Sequence, residues 1–179
     1  MATVNLLPDA EGTVQQWDVF PTPDPPPPHW SVVDDPVGSP NEDTDYVYTK
    51  VSKEEEAFNH ETSALLTGAI ITNVRVTVRA RATTMFLTEI NIGIRVGVVT
   101  RYAGTSWLLA TWYADQSWDW ADNPATGNPW TKFNIDNLQS SIKMMSSAVT
   151  ARVTQVYLTV TYHIPTPAVA GKGLVSWTP

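Results

Sequence analysis

The chain has 179 residues, a length that suits one large domain with extensions, and its 42% hydrophobic content is enough to form a core. Because it contains no cysteine, disulfides, thiol catalysis and thiolate metal sites are excluded. The N-terminus lacks the basic start and apolar run of a signal peptide. No window holds the roughly 20 apolar residues of a membrane helix, so we expect no membrane partner.

The net charge of −7 is unevenly distributed. Residues 1–61 contain thirteen acidic side chains and two lysines, whereas residues 62–179 contain five acidic side chains and nine Lys or Arg. We hypothesise that the acidic third docks, within its own subunit or on a neighbour, on an interface formed by Arg75, Arg79, Arg81 and Arg95. The alternative is a set of solvated loops beside arginines on an outer sheet face. The negative field disfavours nucleic acid as a partner.

Residues 1–29 have the composition of an N-terminal arm. A short strand is predicted over residues 13–20, and the following PTPDPPPPH favours an extended polyproline segment. This run is typical of a stiff spacer, and less often of a ligand for aromatic grooves. The domain that follows is predicted to cover residues 30–163, with turns at Asp35-Pro36, Gly38 and Pro40 and a strand over residues 45–51.

The stretch from Ile70 to Val98 carries the clearest structural signal. Apolar residues fall at every second position, which predicts two strands with one buried and one solvated face. The first set is Val74, Val76, Val78 and Ala80, and the second is Ile90, Ile92, Ile94, Val96 and Val98. Two such strands in succession predict an all-β fold, an antiparallel sandwich or barrel.

The segments after Val98 are less uniform. Residues 106–113 predict a strand, residues 115–128 a long loop, and residues 130–133 a short strand. Spacings of three and four over residues 135–145 predict one short helix, with Asn134 as its N-cap. Thr126-Gly127 predicts a tight turn, with Trp130 anchoring that loop on the core.

The last predicted strand covers residues 151–162, and its change of phase at Thr154–Gln155 predicts a β-bulge or a change of burial there. Residues 74–82 and 151–162 are long enough to pair as neighbours. Residues 164–179 form a C-terminal extension whose apolar tip either is disordered or joins a neighbouring subunit. The interface residues in that tip are Leu174, Val175 and Trp177.

A family resemblance emerges from several short motifs in order. WSVVDDPVGSP, DTDYVYT, VRVTVRARA, NPATGNPWT and ARVTQVYLTVTY are similar to jelly-roll-like domains in structural proteins of tailed bacteriophages. The resemblance spans roughly residues 30–162. It implies a jelly-roll-like β-sandwich and a place in the virion, assembled in the host cytoplasm, as a capsid decoration, head-surface or tail component.

Catalytic and metal chemistry is poorly represented. His29, His60 and His163 show no metal-ligand spacing, and nucleophile and phosphate-loop motifs are absent. We therefore expect no enzyme activity, no cofactor and no metal. Asp115, Asp119 and Asp122, with Asn123, offer oxygen ligands for calcium, although a simple polar loop is the favoured interpretation.

The Trp-rich loop is the candidate ligand site. Its members are Trp112, Trp118, Trp120 and Trp130. Exposed tryptophans stack on sugar rings, whereas tryptophans in a core or a subunit interface serve packing. Both interpretations stay open.

The favoured function is a non-enzymatic virion structural protein. It forms a homo-oligomer, contacts other capsid or tail proteins, and clamps its neighbours with its terminal arms. One alternative is a carbohydrate-binding adhesion module with a surface glycan as partner. Another is a subunit of a non-viral surface filament.

Overall fold

A computed structural model describes residues 1–65, 67–85, 87–147 and 149–165. The chain folds as two antiparallel β-sheets packed face to face, which confirms the predicted β-sandwich. In the described part, no helix is long and apolar enough to cross a membrane. The predicted tip residues Leu174, Val175 and Trp177 lie outside the described residues.

Among the described residues, twelve strands form the two sheets. In chain order they are β1 (Ala2–Leu6), β2 (Pro8–Gln15), β3 (Asp18–Phe20), β4 (Tyr46–Thr49), β5 (Glu55–His60), β6 (Ile70–Ala82), β7 (Thr88–Val96), β8 (Val99–Tyr102), β9 (Trp107–Leu108), β10 (Ala114–Trp120), β11 (Leu138–Ser147) and β12 (Ala151–His163). The first sheet has the order β10-β6-β12-β4-β3, with β1 beside β12. The second has the order β2-β5-β11-β7-β8, with β9 beside β7.

The two period-two strands supply facing halves of the core. β6 belongs to the first sheet and β7 to the second. Their alternate apolar residues are fully buried: Val74, Val76, Val78, Ala80, Ile90, Ile92 and Ile94. The second strand ends at Val96 rather than at Val98, because Gly97 takes a positive φ of 60° and turns the chain into β8. Val98 is consequently exposed at that turn.

The predicted pairing of the two longest strands is confirmed. β12 runs antiparallel to β6 from Ala151 opposite Ala82 to His163 opposite Ile70. The register shifts between Val153 and Gln155, which confirms the predicted bulge at Thr154. The bulge directs the Thr154 hydroxyl toward the carbonyl oxygen of Glu42, at 3.0 Å.

The segment predicted as an N-terminal arm contributes strands to both sheets. β1 pairs with β12, β2 with β5, and β3 with β4. Leu6, Trp17 and Val19 are buried in the core, and this burial holds the segment against the sandwich. The prolines interrupt pairing only after β3, where residues 21–28 lead to a 3₁₀ turn at His29–Val32.

The predicted helix over residues 135–145 is wrong. Residues 138–147 form strand β11, and the described helix α1 covers only Lys132–Ile135. Thr131 is its N-cap, while Asn134 completes the capping box from the third helical position. The predicted strand over residues 130–133 is therefore also wrong.

The secondary structure of residues 106–120 differs from the prediction. The predicted strand over residues 106–113 shrinks to β9, and much of the predicted loop from residue 115 is strand β10. In β10, Asp115 and Asp119 face solvent while Trp118 and Trp120 face the core. Because many residues of β10 are polar, the segment has the composition of a loop, and its period of two is not apparent from the sequence.

The carboxylate of Glu56 is buried on the core side of β5. Its Oε2 accepts hydrogen bonds from the backbone N–H groups of Gln16 and Trp17, at 2.9 and 3.0 Å. Its Oε1 lies 2.9 Å from Nδ1 of His29. Desolvation raises the pKa of Glu56, and the hydrogen bond to Glu56 raises the pKa of His29. One carboxylate thus joins both ends of the proline-rich connection to the second sheet.

His60 is buried between the sheets in its neutral form. Its Nδ1 donates to the carbonyl oxygen of Leu6 at 3.1 Å, since a carbonyl can only accept. Its Nε2 then accepts from the hydroxyl of Ser140 at 2.8 Å. Burial lowers the pKa of His60 to about 4.

Acidification should therefore destabilise the fold through His60. A folded pKa of about 4 against 6.5 unfolded means that the contribution is complete above pH 6.5 and lost as pH falls toward 4. Between pH 7 and pH 4 the loss attributable to His60 is about 3 kcal/mol. Urea unfolding at both pH values, for the native chain and for His60→Gln, measures this difference. Equal losses in the two proteins would contradict the assignment.

Candidate functional site

The outer side of the second sheet carries a band of polar side chains, here called the polar face. They occupy alternate positions of β5, β7, β8 and β11, pointing away from the core. Its members are Glu55, Asn59, Asn91, Arg95, Tyr102, Gln139 and Lys143. Large polar side chains on four adjacent strands thus form one continuous surface.

Residues with small side chains occupy the centre of the polar face. Ala57, Ser141 and Gly93 stand opposite one another on β5, β11 and β7, and Tyr102 of β8 is next in this row. A Cβ atom at Gly93 would lie only 2.8 Å from Cδ1 of Tyr102. The absence of a side chain at Gly93 therefore lets the Tyr102 ring lie across β7.

A chain of hydroxyl groups fixes the Tyr102 ring. The Tyr102 hydroxyl is 3.4 Å from Oγ of Ser141, which donates to Oε1 of Glu55 at 2.8 Å. Nζ of Lys143 lies 5.3 Å from the ring centroid. Burial raises the pKa of Tyr102, so its hydroxyl stays protonated. The ring is partly exposed, with its hydroxyl next to Ser141 and the Lys143 ammonium over its face.

The amide side chains at one end of the polar face are also fixed. Oε1 of Gln139 accepts from the backbone N–H and the hydroxyl of Thr13, at 3.1 and 2.9 Å. Nε2 of Gln139 donates to Oδ1 of Asn59 at 3.0 Å, and Asn59 in turn donates to the carbonyl oxygen of Glu11. These groups are ordered before any ligand arrives, which reduces the entropic cost of binding.

Among the described residues, the cations of the polar face form no ion pairs. Within the described ranges, neither Arg95 nor Lys143 has a carboxylate oxygen within 4.0 Å. Arg95 donates to the hydroxyl of Thr100 at 3.1 Å. Asn91 is nearly buried, and its Oδ1 has no hydrogen-bond partner among the described residues. The face therefore retains unused donors and one unused acceptor.

Three of the four predicted ligand tryptophans are turned inward. Trp120 and Trp130 are buried, and Nε1 of Trp130 donates to the carbonyl oxygen of Trp120 at 3.0 Å. Trp118 packs edge-on against Trp107, with ring centroids 6.1 Å apart. Only Trp112 of the four is exposed, with 69% of its surface accessible. They do not form one exposed aromatic platform.

Trp112 borders an apolar groove of about 370 Å³. The described residues that line this apolar groove are Met85, Leu87, Leu108, Leu109, Ala110, Thr111 and Trp112. Among them, only Thr111 has a polar side chain. The sequence does not reveal this groove, because the run SWLLATWY is apolar at successive positions and predicts a central or interfacial strand, whereas only Trp107–Leu108 of it forms a strand.

The arginines of the first sheet have intrachain acidic partners. Arg79 contacts Glu42, and Nη2 of Arg81 lies 2.7 Å from Oδ1 of Asp43. Nη1 of Arg152 lies 3.0 Å from the same Asp43 oxygen. Acidic residues from the N-terminal third therefore do rest on this face, within one subunit. Their source is the 3₁₀ turn at Glu42–Thr44, not residues 1–29.

The remaining predicted arginines and aspartates divide between the sheets. Arg75 pairs with Asp119 at 2.8 Å, and Asp115 pairs with Arg79 at 3.0 Å. Arg95 lies on the opposite sheet, so the four predicted arginines share no single face. In the described part of the chain, no group of three or more His, Asp or Glu side chains is arranged to hold a metal ion.

Comparisons with known proteins give fold-level likeness at low similarity. No protein-family model matches the chain, and no curated protein matches it. One similar structure is the CBM22-1–GH10 region of endo-1,4-β-D-xylanase 10B from Clostridium thermocellum, complexed with xylohexaose. Its TM-score is 0.44 at 12% identity, over 73% of this chain and 24% of that one.

Two further solved structures are similar to this chain. The xylan-binding module CBM15 has a TM-score of 0.45 at 8% identity, over 92% of this chain and 99% of that module. TmCBM61 in complex with β-1,4-galactotriose has a TM-score of 0.37 at 12% identity, over 66% and 72%. The match to the xylanase thus spans about a quarter of that protein.

Arg95 is the one residue of the polar face that is also a site residue predicted from the sequence. Gln139, Ser141 and Lys143 alternate with Leu138, Ile142 and Met144, a signal that becomes visible once residues 138–147 are treated as a strand. Tyr102 and Gly93 carry no local signal, because their contact depends on the register between β7 and β8.

Removing the charge of Asp43 should destabilise the fold modestly. In Asp43→Asn, Arg81 and Arg152, which face each other across β6 and β12, lose their shared counter-charge. Because these groups are partly exposed, we expect a loss of about 1 kcal/mol in the free energy of unfolding. Urea unfolding at low salt measures it.

High salt and a matched variant provide the controls. The deficit of Asp43→Asn should shrink at about 1 M NaCl, because salt screens the arginine repulsion. Asp122→Asn removes an exposed carboxylate that forms no ion pair among the described residues, and should leave stability unchanged. A loss that is equal in both variants, or independent of salt, would refute the role of Asp43.

Proposed function

We propose that this chain is a non-enzymatic carbohydrate-binding module that holds a glycan on the polar face. The observation that carries the proposal is the position of Tyr102, whose partly exposed ring lies across Gly93 among amide and charged side chains. A sugar ring presents C–H groups on its faces and hydroxyls at its edges. An aromatic ring flanked by donors and acceptors complements both.

The polar groups around Tyr102 include both donors and acceptors, as the hydroxyls of a sugar require. Glu55 supplies an acceptor, Arg95 and Lys143 supply donors, and the amides of Asn59 and Gln139 retain donor capacity. The hydrogen bonds that fix the amides and Tyr102 support binding without rearrangement. The opposite charges of Glu55 and Lys143 on one face also favour a hydroxyl-rich ligand over a polyphosphate.

The absence of catalysis is part of the proposal. A glycosidase needs a proton-donating carboxyl with a raised pKa at the bound sugar. Desolvation does raise the pKa of Glu56, but that residue is buried on the core side of β5, where it binds His29 and backbone N–H groups. Its position supports a structural role for this carboxyl.

Loss of the Tyr102 ring should weaken glycan binding. Isothermal titration calorimetry with xylohexaose and β-1,4-galactotriose, followed by a glycan array, provides the probes. We expect Tyr102→Ala to lower affinity at least about tenfold, equivalent to about 1.4 kcal/mol. Tyr102→Phe keeps the ring and loses only the hydroxyl contact to Ser141, so most of the affinity should remain.

The Trp112→Ala variant tests whether the glycan binds on the polar face or in the apolar groove. If the polar face is the site, this variant should bind glycans as the native chain does, because Trp112 lines the groove. Binding lost in Trp112→Ala and kept in Tyr102→Ala would instead assign the glycan to the groove. A native chain that binds no glycan across the array would remove the proposal.

An assembly role is the second candidate, and the exposed apolar groove favours it. Large apolar surfaces left open to water commonly mark protein contacts. A place in a virion, with capsid or tail partners, stays a prediction of the sequence resemblance. A subunit of a non-viral filament would use the same kind of contact.

A further inference from the structure

The apolar groove exposes four large side chains side by side. Met85, Leu87, Leu108 and Trp112 each have more than half of their surface accessible. The lining is almost entirely apolar, with the hydroxyl of Thr111 as the one polar side chain among its described residues. A sugar would find few partners for its hydroxyls here, whereas an apolar peptide segment would bury these side chains favourably.

The chain itself contains a segment with the required chemistry. Residues 166–179 lie outside the described structure, and they include Leu174, Val175 and Trp177 with Lys172 as their one charged residue. No other stretch outside the described residues is longer than a single residue. The tail is therefore the candidate occupant that the sequence offers.

The location of the groove favours a second copy as the source of the tail. The groove adjoins Ala82, whose backbone N–H donates to the carbonyl oxygen of Ala110 at 2.7 Å. Ala82 pairs with Ala151, at the start of β12, whereas the described chain ends just beyond His163 at the other end of that strand. The tail thus leaves the sandwich at the end opposite the groove.

Occupation of the groove in its own subunit would require the tail to be almost fully extended along the sandwich. The 13 residues of β12 extend over about 40 Å at 3.3 Å per residue. The nine residues from 166 to 174 reach about 30 Å when fully extended. Counted from His163, Leu174 reaches about 36 Å and Trp177 about 46 Å only when every residue is fully extended along the sandwich. Entry into its own groove would therefore leave the tail almost no slack, whereas the groove of a second copy imposes no such limit.

We propose that residues 174–177 of a second copy occupy the apolar groove, so that subunits associate head to tail. The groove and the tail lie at opposite ends of the sandwich, so the contact is heterologous. Such a contact closes into a ring or continues as a filament, depending on the rotation between subunits. This inference does not depend on glycan binding, which uses the other surface.

Sedimentation velocity of the full chain tests the association. Because a small apolar contact is weak, concentrations from about 1 µM to about 1 mM cover the expected affinities. The native chain should form larger species as concentration rises, and Trp112→Ser and Trp177→Ser should each raise the required concentration at least about tenfold. Phe133→Ser is the matched control, since Phe133 is 74% exposed and lies outside the groove.

Disulfide trapping identifies the contact and the copy that supplies the tail. The native chain has no cysteine, so single cysteines report without background. A mixture of Thr111→Cys and Ser176→Cys proteins should give a mixed disulfide dimer under mild oxidation. A mixture of Ser176→Cys with Thr67→Cys, an exposed position just before β6, should give far less.

Three outcomes would overturn the proposal. The first is a native chain that remains monomeric throughout the concentration range. The second is association that Trp112→Ser and Trp177→Ser leave unchanged, since another surface would then be responsible. The third is a Thr111→Cys/Ser176→Cys double variant that forms only an intrachain disulfide at high concentration, which would place the tail in its own groove.

Discussion

The N-terminal part of the sandwich depends on the hydrogen bonds of the buried Glu56 carboxylate. This carboxylate accepts the backbone N–H groups of Gln16 and Trp17 and contacts His29, so it joins two chain segments that the proline-rich connection separates. Without these partners the Glu56 carboxylate would be a buried, unsatisfied charge, and the N–H of buried Trp17 would be an unsatisfied donor. The burial of Trp17 and the path of the chain from β2 to β4 follow from this arrangement.

The strands that the sequence pattern predicts correctly are those in which apolar and polar residues alternate. In β6 and β12, valines alternate with arginines, threonines or tyrosines, so the period of two is unambiguous. In β11, the inward position of Ser140 is polar because it donates to buried His60. That one inward serine breaks the alternation, and the remaining apolar residues fall at helical spacing. A tertiary hydrogen bond thus overrides the local pattern.

The functional surfaces were harder to predict, for a different reason. Tyr102 becomes part of a surface only because the β7–β8 register sets it opposite Gly93, and Glu55 only because β5 pairs with β11. The tryptophans were conspicuous by composition, yet Trp120 and Trp130 are buried in the core. Residue type alone does not reveal which side of a sheet a residue occupies, because strand register decides it.

One edge of β12 is shared by three chain segments far apart in sequence. β4 pairs with residues 151–153, Asp34 bridges to Gln155, and β1 pairs with residues 158–162. Among the described strands, β1 therefore has no partner until β12, near the other end of the sandwich domain, has been synthesised. Folding cannot be completed progressively during translation, and the exposed edge of β1 must stay unpaired meanwhile. Pairing between strands so far apart in sequence also predicts slow folding for a chain of this size.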